Sequence, residues 1–480
     1  MVTAPAIDSD RNLRDMIGII AGTEGLPRCF AWDLCALLSL SNFFLRFFVL
    51  GLFLSSASAG ETQRFHLHDG DTVVFFGDSI TNQRLYSVFT ETYVLTRFPR
   101  MRVNFVHSGW SGDRVTGGFG GSVDLRLDRD VFAYGATVIS VMLGMNDGEY
   151  RPYDENIFNI FANGYRHILD RIKIAAPLAR VTLLEPSPYD DVTRPPEFPG
   201  GYNSVLLSYG NFVRELARAR GLTVADLNAP VIALLKGASA DSPKAAQRLI
   251  PDRVHPSPGV HLLMAEALLR SWGAPSFVSV VDIDGSTGTL RKAENTAIDS
   301  IARRGGAGDS DAKLSSAPEW TRLEWTQSDQ ALPMPLEMDD ETIQMALRHS
   351  DFMDALNREI LKVSGLPGGR YSLQIDGEAV GAFDAAELAT GINLSAVKTP
   401  MSSQAQTVLD LTYRRNHLRF ARMMMVDNAL KDFHPVKLRG ALDALESLEQ
   451  EVLSLQRAAA LPKAHSYRLE PLVSGQRVSK

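Results

Sequence analysis

Four short polar segments of the sequence carry side chains that together can attack a carbonyl carbon. Ser79 lies in Gly77-Asp78-Ser79, directly after an apolar run, and His255 closes Asp252-Arg253-Val254-His255. A serine hydroxyl is a poor nucleophile until a neighbouring base takes its proton, and histidine, which titrates near neutrality, is the usual base. An aspartate three residues earlier in a tight turn can reach the ring and fix its tautomer. The pattern therefore indicates a serine nucleophile with a histidine base.

Two further segments offer hydrogen-bond donors to a developing oxyanion. Asn146 lies in Gly144-Met145-Asn146-Asp147 after another apolar run, and Gly112 lies in Ser111-Gly112-Asp113. A side-chain amide can donate to negative charge, and a glycine presents its backbone N–H without obstruction. Each segment alone is equally consistent with an ordinary turn or helix cap, because Asn, Asp, Ser and Gly are common there. Only the joint pattern points to catalysis.

Predicted strands and helices place these segments. Apolar and β-branched runs predict five strands, at residues 71–76, 102–106, 137–143, 180–184 and 222–225. Amphipathic patterns predict helices at residues 157–175, 205–219 and 259–272. Such alternation indicates α/β organisation with a mainly parallel sheet. Open sheets of this kind bind ligands beyond the carboxyl ends of their strands, which is where Ser79 is expected.

The ordered set Ser79, Gly112, Asn146 and Asp252-x-x-His255 resembles the four blocks of the SGNH hydrolase family, also called GDSL-like. The resemblance covers roughly residues 73–272. It implies a three-layer α/β/α fold with a flavodoxin-like, mainly parallel sheet. It also implies Ser79 as nucleophile, His255 as general base and acid, and Asp252 as its partner. The backbone N–H groups of Ser79 and Gly112 and the amide of Asn146 would form the oxyanion hole.

The reaction that this resemblance implies is two-step hydrolysis of a carboxylic ester through an acyl-enzyme. The sequence has no Gly-x-Ser-x-Gly elbow, which argues against the α/β-hydrolase fold. It has no His-Glu-x-x-His motif and no phosphate-binding loop, so we expect neither a metal nor another cofactor. The net charge of −7 implies no basic face, so nucleic acid is not an expected partner.

An export signal is predicted ahead of the α/β region. Arg46 is followed by an apolar run at residues 47–54 and by Ala57-Ser58-Ala59, and these are the parts of a secretory signal peptide. A secreted or periplasmic protein cleaved after Ala59 is therefore expected, with an uncleaved anchor as the alternative. The residues before residue 42 exceed an ordinary n-region and suggest a mis-assigned translation start. Both cysteines precede Ala59, so the mature chain needs no disulfide.

Three regions follow from these patterns: an extension with signal peptide at residues 1–59, a catalytic domain at 60–277, and an accessory region of mixed β/α character at 278–480. In the last, residues 303–318 predict a loop, and residues 278–283 and 322–325 predict strands. Residues 370–375 and 379–383 around Asp376-Gly377 predict a hairpin. A leucine stripe from Leu438 to Leu455 predicts a helix that packs through this stripe rather than a dimer zipper.

The substrate is the least constrained expectation. The loop at residues 186–202 follows the fourth strand on the presumed active-site side, and its aromatic and charged residues suit a sugar. The candidate contacts are Asp78, Trp110, Tyr189 and Arg194. The resemblance favours a carbohydrate O-acetylesterase acting on a small ester or acetylated saccharide. A lipid acyl hydrolase and a non-catalytic binding protein on the same fold are the alternatives, and the acyl group, alcohol and oligomeric state stay open.

Overall fold

The structure is a computed structural model, and it describes residues 65–305, 320–423 and 435–472. The predicted signal segment, most of the predicted loop at residues 303–318 and the extreme carboxyl terminus lie outside these residues. From Phe65 onward the described residues belong to one compact unit.

Among the described residues, the first region contains seven strands, and buried apolar runs form the longer ones. The strands are β1 (Thr72–Gly77), β2 (Asn104–Gly109), the two-residue strands β3 (Gly117–Gly118) and β4 (Gly121–Ser122), β5 (Val138–Met142), β6 (Arg180–Leu184) and β7 (Thr223–Ala225). Five of them pair in the order β2-β1-β5-β6-β7, and every pairing is parallel. Val73 in β1, which has a strand on each side, is fully buried between Phe105 and Val138. The predicted parallel sheet is confirmed.

Helices alternate with these strands. They are α1 (Ser79–Asn82), α2 (Leu85–Arg97), α3 (Val123–Asp130), α4 (Glu155–Ala175), α5 (Gly201–Arg220), α6 (Ala229–Asp241), α7 (Pro243–Ala246) and α8 (Pro258–Ser271). A 3₁₀ turn covers Phe132–Tyr134. Helices α2 and α8 pack together, whereas α4 packs on α5 through the stacked rings of Phe161 and Tyr209, 4.2 Å apart. The result is the predicted three-layer α/β/α fold.

The strand order fixes where a ligand site can form. Numbered by their order in the sequence, the five strands lie across the sheet in the order 2-1-3-4-5. The connections that leave β1 and β5 therefore lead to neighbouring strands on opposite sides of the sheet. The carboxyl ends of two strands at such a switch point border a crevice that connecting loops cannot fill. Ser79 follows β1 and Asn146 follows β5, so the topology places both at this crevice.

The later part of the chain forms two more sheets and five helices among the residues described. Its elements are β8 (Phe277–Asp284), β9 (Thr289–Glu294), β10 (Thr296–Arg304), β11 (Arg322–Asp329), α9 (Glu341–Arg348), α10 (Phe352–Leu356), β12 (Arg358–Ser364), β13 (Arg370–Ile375), β14 (Glu378–Asp384), α11 (Ala385–Thr390), β15 (Ile392–Asn393), α12 (Pro400–Phe420), α13 (Pro435–Ala460) and β16 (Ala464–Pro471). A 3₁₀ turn covers Leu394–Ala396. The sheets run β10-β11-β16-β13-β14 and β15-β12-β8-β9. This is the mixed β/α region that the sequence predicted.

The predicted hairpin forms between β13 and β14. Its turn residues Asp376 and Gly377 both have positive φ, 54° and 84°, as a type I′ turn requires. The strands share a buried core of their own that includes Val281, Leu323 and Tyr467. Apolar side chains of α9 and α10 instead join the core of the α/β layers, whereas α12 contributes Leu409 to that core and Met401 and Ala405 to the core of the strands.

Helix α13 forms where the leucine stripe predicted it, and Leu438, Leu442 and Leu445 of the stripe are half-buried, but the buried face leaves the stripe further along the helix. Its most buried side chains are Glu449, Leu453, Gln456 and Ala460, whereas Leu448 and Leu455 are exposed. This correction has a physical cause: α13 packs on α12, whose facing side chains include the cation of Arg415 and the hydroxyl of Thr412. Because these buried side chains of α12 are polar, α13 turns its polar side chains Glu449 and Gln456 towards them.

No helix of the described residues is long and apolar enough to span a lipid bilayer. Within the same residues, no group of three or more His, Cys, Asp or Glu side chains is arranged to hold a metal ion.

Candidate active site

Ser79 is presented by a sharp turn between β1 and α1. Gly77 ends the strand, and a Cβ there would lie 2.8 Å from the carbonyl oxygen of Met142, so the close approach of β1 and β5 requires glycine. Asp78 caps α1 by accepting a 3.0 Å hydrogen bond from the N–H of Ile80. Because Ser79 is the first residue of α1, its own N–H has no intrahelical acceptor. The turn thus offers a hydroxyl and a free backbone donor together.

A tight turn before α8 carries the predicted base and its partner. Oδ1 of Asp252 accepts from the backbone N–H groups of Val254 and His255, at 3.0 and 2.7 Å. Arg253, which lies between Asp252 and Val254, has a φ of 73°, and this lets the chain turn back on itself. Nδ1 of His255 lies 2.6 Å from Oδ2 of Asp252. The second ring nitrogen, Nε2, lies 2.9 Å from Oγ of Ser79.

These contacts define the protonation states of the pair. Burial acts to raise the pKa of Asp252, but hydrogen bonds from the backbone and ring of His255 outweigh it and hold the pKa below its ordinary value. An ionised Asp252 makes Nδ1 the protonated ring nitrogen, which leaves the lone pair on Nε2 facing Ser79. The geometry suits removal of the serine proton.

Gln83 ties the serine turn to the histidine turn. Its Nε2 donates to the carbonyl oxygen of Pro256 at 3.1 Å, and its Oε1 lies 3.2 Å from Nε2 of the buried His261. Nδ1 of His261 accepts from the backbone N–H of Tyr86, so the proton of this ring is on Nε2. Burial lowers the pKa of His261 to about 3, which keeps it neutral. The link fixes α1 against the start of α8.

Gly112 lies in a loop that the side chain of Arg126 holds in place. Its φ is 73°. The buried guanidinium of Arg126 pairs with Asp113, one residue further on, and with Asp130 at 2.7 Å, and it also donates to the carbonyl oxygen of Ser108. A guanidinium with three fixed acceptors has little freedom, so the loop is rigid.

Asn146 is held in one orientation by two hydrogen bonds. Its Nδ2 donates to the carbonyl oxygen of Asp113 at 2.9 Å, and its Oδ1 accepts from the hydroxyl of Tyr150 at 2.8 Å. An amide nitrogen carries two hydrogens, so Nδ2 retains one for another acceptor. The neighbouring Asp147 accepts from the N–H of Val115 at 2.9 Å, which joins the Asn146 segment to the Gly112 loop.

Part of this chain is similar in sequence to known proteins. A protein-family model described as the GDSL-like lipase/acylhydrolase family matches residues 75–263. An acetylxylan esterase of Geobacillus stearothermophilus is 25% identical over 224 residues, which cover 42% of this chain and 94% of that protein. Residues 75–263 form a GDSL-like lipase/acylhydrolase domain. The protein is accordingly a carboxylic ester hydrolase.

Solved structures extend the likeness beyond this GDSL-like domain. A gut microbial diltiazem-metabolizing enzyme superposes with a TM-score of 0.70 at 26% identity, covering 85% of this chain and 99% of that one. The match therefore includes much of the region that follows the GDSL-like domain. The crystal structure of the Geobacillus stearothermophilus acetylxylan esterase covers 44% of this chain and 97% of its own, with 23% identity and a TM-score of 0.35.

Asp78 is placed differently from the expected substrate contact. It is 1% exposed in the GDSL-like domain, and its carboxylate caps α1. Burial raises the pKa of Asp78 to about 7. A carboxyl group in this position supports the serine turn and is not open to a ligand.

The 186–202 loop braces the histidine turn. Arg194, expected to bind substrate hydroxyls, donates instead to Asp190 at 2.7 Å and to the carbonyl oxygens of Ile250 and Pro251 at 3.0 and 2.9 Å. Tyr189 is 6% exposed, and its hydroxyl donates to Glu197 at 3.0 Å. Both placements differ from the expectation, because these side chains are used by contacts within the GDSL-like domain.

Trp110, the expected cleft wall, is half-buried. The guanidinium carbons of Arg129 and Arg126 lie 4.8 and 5.6 Å from its ring. The aromatic side chain that stands free beside Gly112 is Phe119, which is 86% exposed. The sequence analysis missed Phe119, although a phenylalanine between two Gly-Gly pairs is a recognisable signal. It also missed Tyr150 and Arg126, whose roles depend on partners distant in the sequence.

Proposed function

We propose that this ester hydrolase uses Ser79 as nucleophile, His255 as general base and acid, and Asp252 as the partner of His255. The observation that carries the proposal is the pair of distances at one imidazole, 2.9 Å to Oγ of Ser79 and 2.6 Å to the carboxylate of Asp252. Residues 176 positions apart in the chain meet in the geometry that general-base catalysis requires.

The mechanism follows from these positions. Oγ of Ser79 attacks the ester carbonyl carbon while Nε2 of His255 takes its proton, and Asp252 stabilises the resulting imidazolium. The tetrahedral intermediate collapses, and His255 returns the proton to the departing alcohol oxygen. Water then attacks the acyl-enzyme, again losing a proton to Nε2, and the carboxylic acid leaves as Ser79 regains its hydrogen.

Three donors are proposed to hold the oxyanion of each tetrahedral intermediate: the backbone N–H groups of Ser79 and Gly112 and the remaining Nδ2 hydrogen of Asn146. What supports this set is its rigidity, because Asp78, Arg126 and Tyr150 fix the respective segments. Donors fixed in advance need no reorganisation as charge develops, and one such donor is typically worth ~10²–10³ in rate.

The proposed substrate is an O-acetylated saccharide. Its support is the curated acetylxylan esterase, which this chain matches over 94% of that protein's length. Acetylation places a small acyl group on a large polar alcohol, so a cleft for it needs room for the alcohol rather than a deep acyl tunnel.

Acetate release from a panel of acetylated polysaccharides tests the proposal. We expect release by the wild type and a loss of ~10⁴-fold or more in kcat with Ser79→Ala, since nucleophile and base act as a unit. Ser208→Ala, on the surface of α5, is the matched control and retains full activity. Retained activity in Ser79→Ala contradicts the mechanism. A nitrophenyl ester series in which rate rises with acyl length contradicts the acetyl substrate and favours a lipid acyl hydrolase.

We also propose that the protein is exported and cleaved after Ala59. The support is the basic, apolar and small-residue order at residues 46–59. Expression in a bacterium, followed by mass spectrometry of the exported protein, should give a mature terminus at Gly60. Leu50→Lys should abolish export, and an intact amino terminus on an exported wild type contradicts cleavage.

A further inference from the structure

A glycine-rich hairpin stands beside the proposed oxyanion loop. The strands β3 and β4 come from Gly117-Gly118-Phe119-Gly120-Gly121-Ser122, with Phe119 at the start of the turn. Phe119 is 86% exposed, more than any other aromatic side chain among the exposed large hydrophobic residues described. A single exposed apolar side chain is ordinary by itself, but Phe119 is set apart by its place beside Gly112 and by the rigid turn that holds it.

The backbone around Phe119 is fixed. Gly117 has a φ of 100° and exchanges hydrogen bonds with Arg114, at 2.9 and 3.2 Å. The carbonyl oxygen of Gly120 accepts from Arg129 at 3.2 Å, and a Cβ on Gly120 would lie 2.8 Å from the Trp110 ring. The glycines therefore allow close packing on Trp110, and the Phe119 ring projects from a rigid turn.

The ring lies against the residue proposed to bind the oxyanion. A Cβ added to Gly112 would lie 2.8 Å from Cε2 and 2.9 Å from Cδ2 of Phe119. One edge of the ring thus touches Gly112, while the rest faces solvent. An ester bound with its carbonyl oxygen at Gly112 must bring its substituents close to this ring.

The tyrosines of the 186–202 loop and Trp110 are less exposed to solvent than Phe119. Tyr189 and Tyr202 are 6% and 2% exposed, and Trp110 is half-buried beside Arg129 and Arg126. They cannot offer an open face to a sugar ring without rearrangement of the loops that they support.

We propose that Phe119 is a specificity-determining residue on which the sugar ring of the alcohol portion lies. The inference rests on the proposed function, because the methyl group of an acetyl ester is too small to cover a phenyl ring and the alcohol is the only large substituent. The C–H face of a pyranose is apolar, and burial of this face against Phe119 removes both surfaces from water. Phe119 forms no bond to the reacting atoms.

The test compares two acetyl esters, an acetylated xylo-oligosaccharide and ethyl acetate, whose alcohol has no ring. With Phe119→Ala we expect KM for the saccharide to rise about 3- to 10-fold, the range of one aromatic contact. We expect kcat/KM for ethyl acetate to fall much less than that for the saccharide, by about 2-fold at most, because its alcohol has no ring to lie on Phe119 and only the contact with Gly112 is lost. Phe119→Tyr should keep the wild-type KM, since it keeps the ring face.

Leu178→Ala is the matched control. Leu178 is 94% exposed and precedes β6, at the end of the sheet opposite the site, so its loss should change neither KM. Unchanged saccharide KM in Phe119→Ala overturns this inference alone, as does an equal loss on both esters. A wild type inactive on every acetylated saccharide overturns the proposed substrate and this inference with it.

Discussion

The hydroxyl of Tyr150 donates a 2.8 Å hydrogen bond to Oδ1 of Asn146, on the side of the amide opposite the nitrogen that would bind an oxyanion. Nδ2 of the same amide donates to the carbonyl oxygen of Asp113 at 2.9 Å. The two contacts leave the amide one orientation. Tyr150 therefore fixes the orientation of Asn146, the proposed side-chain donor to the oxyanion.

Tyr150→Phe removes the hydroxyl and keeps the ring. We expect kcat for a small acetyl ester to fall about 2- to 10-fold, the equivalent of one neutral hydrogen bond, with KM unchanged. Tyr153→Phe, an exposed tyrosine three residues further on, serves as the control and should match the wild type. Steady-state kinetics decides this, and a rise in KM without a fall in kcat would contradict the positioning role.

Gly112→Ala should damage the proposed oxyanion loop in two ways. An alanine at φ 73° costs ~1–2 kcal/mol. Its Cβ would also lie 2.8 Å from the Phe119 ring. We expect kcat to fall ~10-fold or more as the N–H is displaced. Adding Phe119→Ala should restore part of this loss in ethyl acetate hydrolysis.

Gly135→Ala separates the two causes. Gly135 has a similar φ of 62°, but a Cβ there would have no atom within 4 Å. This variant should lose only the ~1–2 kcal/mol of backbone strain and keep its kcat. If both glycine variants lose stability equally and neither loses activity, the Gly112 loop does not contribute to the oxyanion site.

Asp78→Asn should change how stability depends on pH. Burial raises the pKa of Asp78 to about 7 in the folded protein, so folding requires this group to bind a proton between its unfolded pKa near 4 and pH 7. Stability of the wild type therefore falls as pH rises through this window and is constant above it. The cost reaches ~4 kcal/mol at most, because one pKa unit corresponds to ~1.4 kcal/mol.

Asparagine caps a helix as well as aspartate, but it does not titrate. Urea unfolding at pH 5 and pH 8 should show a stability gain for Asp78→Asn that grows with pH. Thr399→Ala removes another buried cap, that of α12, and should cost the same free energy at both pH values. A pH-independent effect of Asp78→Asn would show that the carboxyl is ionised when buried.

Glu91 joins the GDSL-like domain to the helices that follow it. Its fully buried carboxylate on α2 accepts from Arg415 of α12 at 2.8 Å and from Gln456 of α13 at 3.1 Å, and it lies 3.0 Å from Nε2 of His107. Burial acts to raise the pKa of Glu91, but Arg415 and His107 outweigh it and bring the pKa to about 2.

Glu91→Ala leaves the Arg415 cation buried without this carboxylate. We expect a loss of ~3–5 kcal/mol in unfolding free energy. Hydrogen exchange should increase first in α12 and α13. Glu446→Ala, which removes an exposed partner of Arg422, should cost ~1 kcal/mol or less. Unchanged exchange in both helices after Glu91→Ala would mean that apolar contacts alone dock them.

Local patterns predicted much of this protein. The five apolar runs became β1, β2, β5, β6 and β7 with ends shifted by at most three residues, because a strand buried on both faces must be apolar throughout. The Asp376-Gly377 turn was equally readable, because positive φ at two successive positions selects these residue types. The four polar segments at strand and helix ends were recognised only by their joint order along the chain, because each alone is consistent with an ordinary turn.

Contacts between distant positions decided the rest. The sequence could not show that Arg194 faces the carbonyl oxygens of Ile250 and Pro251, or that α13 buries Glu449 and Gln456 rather than its full leucine stripe. A side chain's chemistry is fixed by its type, but its partner is fixed by packing, and packing is a property of the whole chain. Residue types and spacing thus determined which groups are available for ester chemistry, while the tertiary structure decided that Phe119 and Tyr150 face the site and that Asp78 does not.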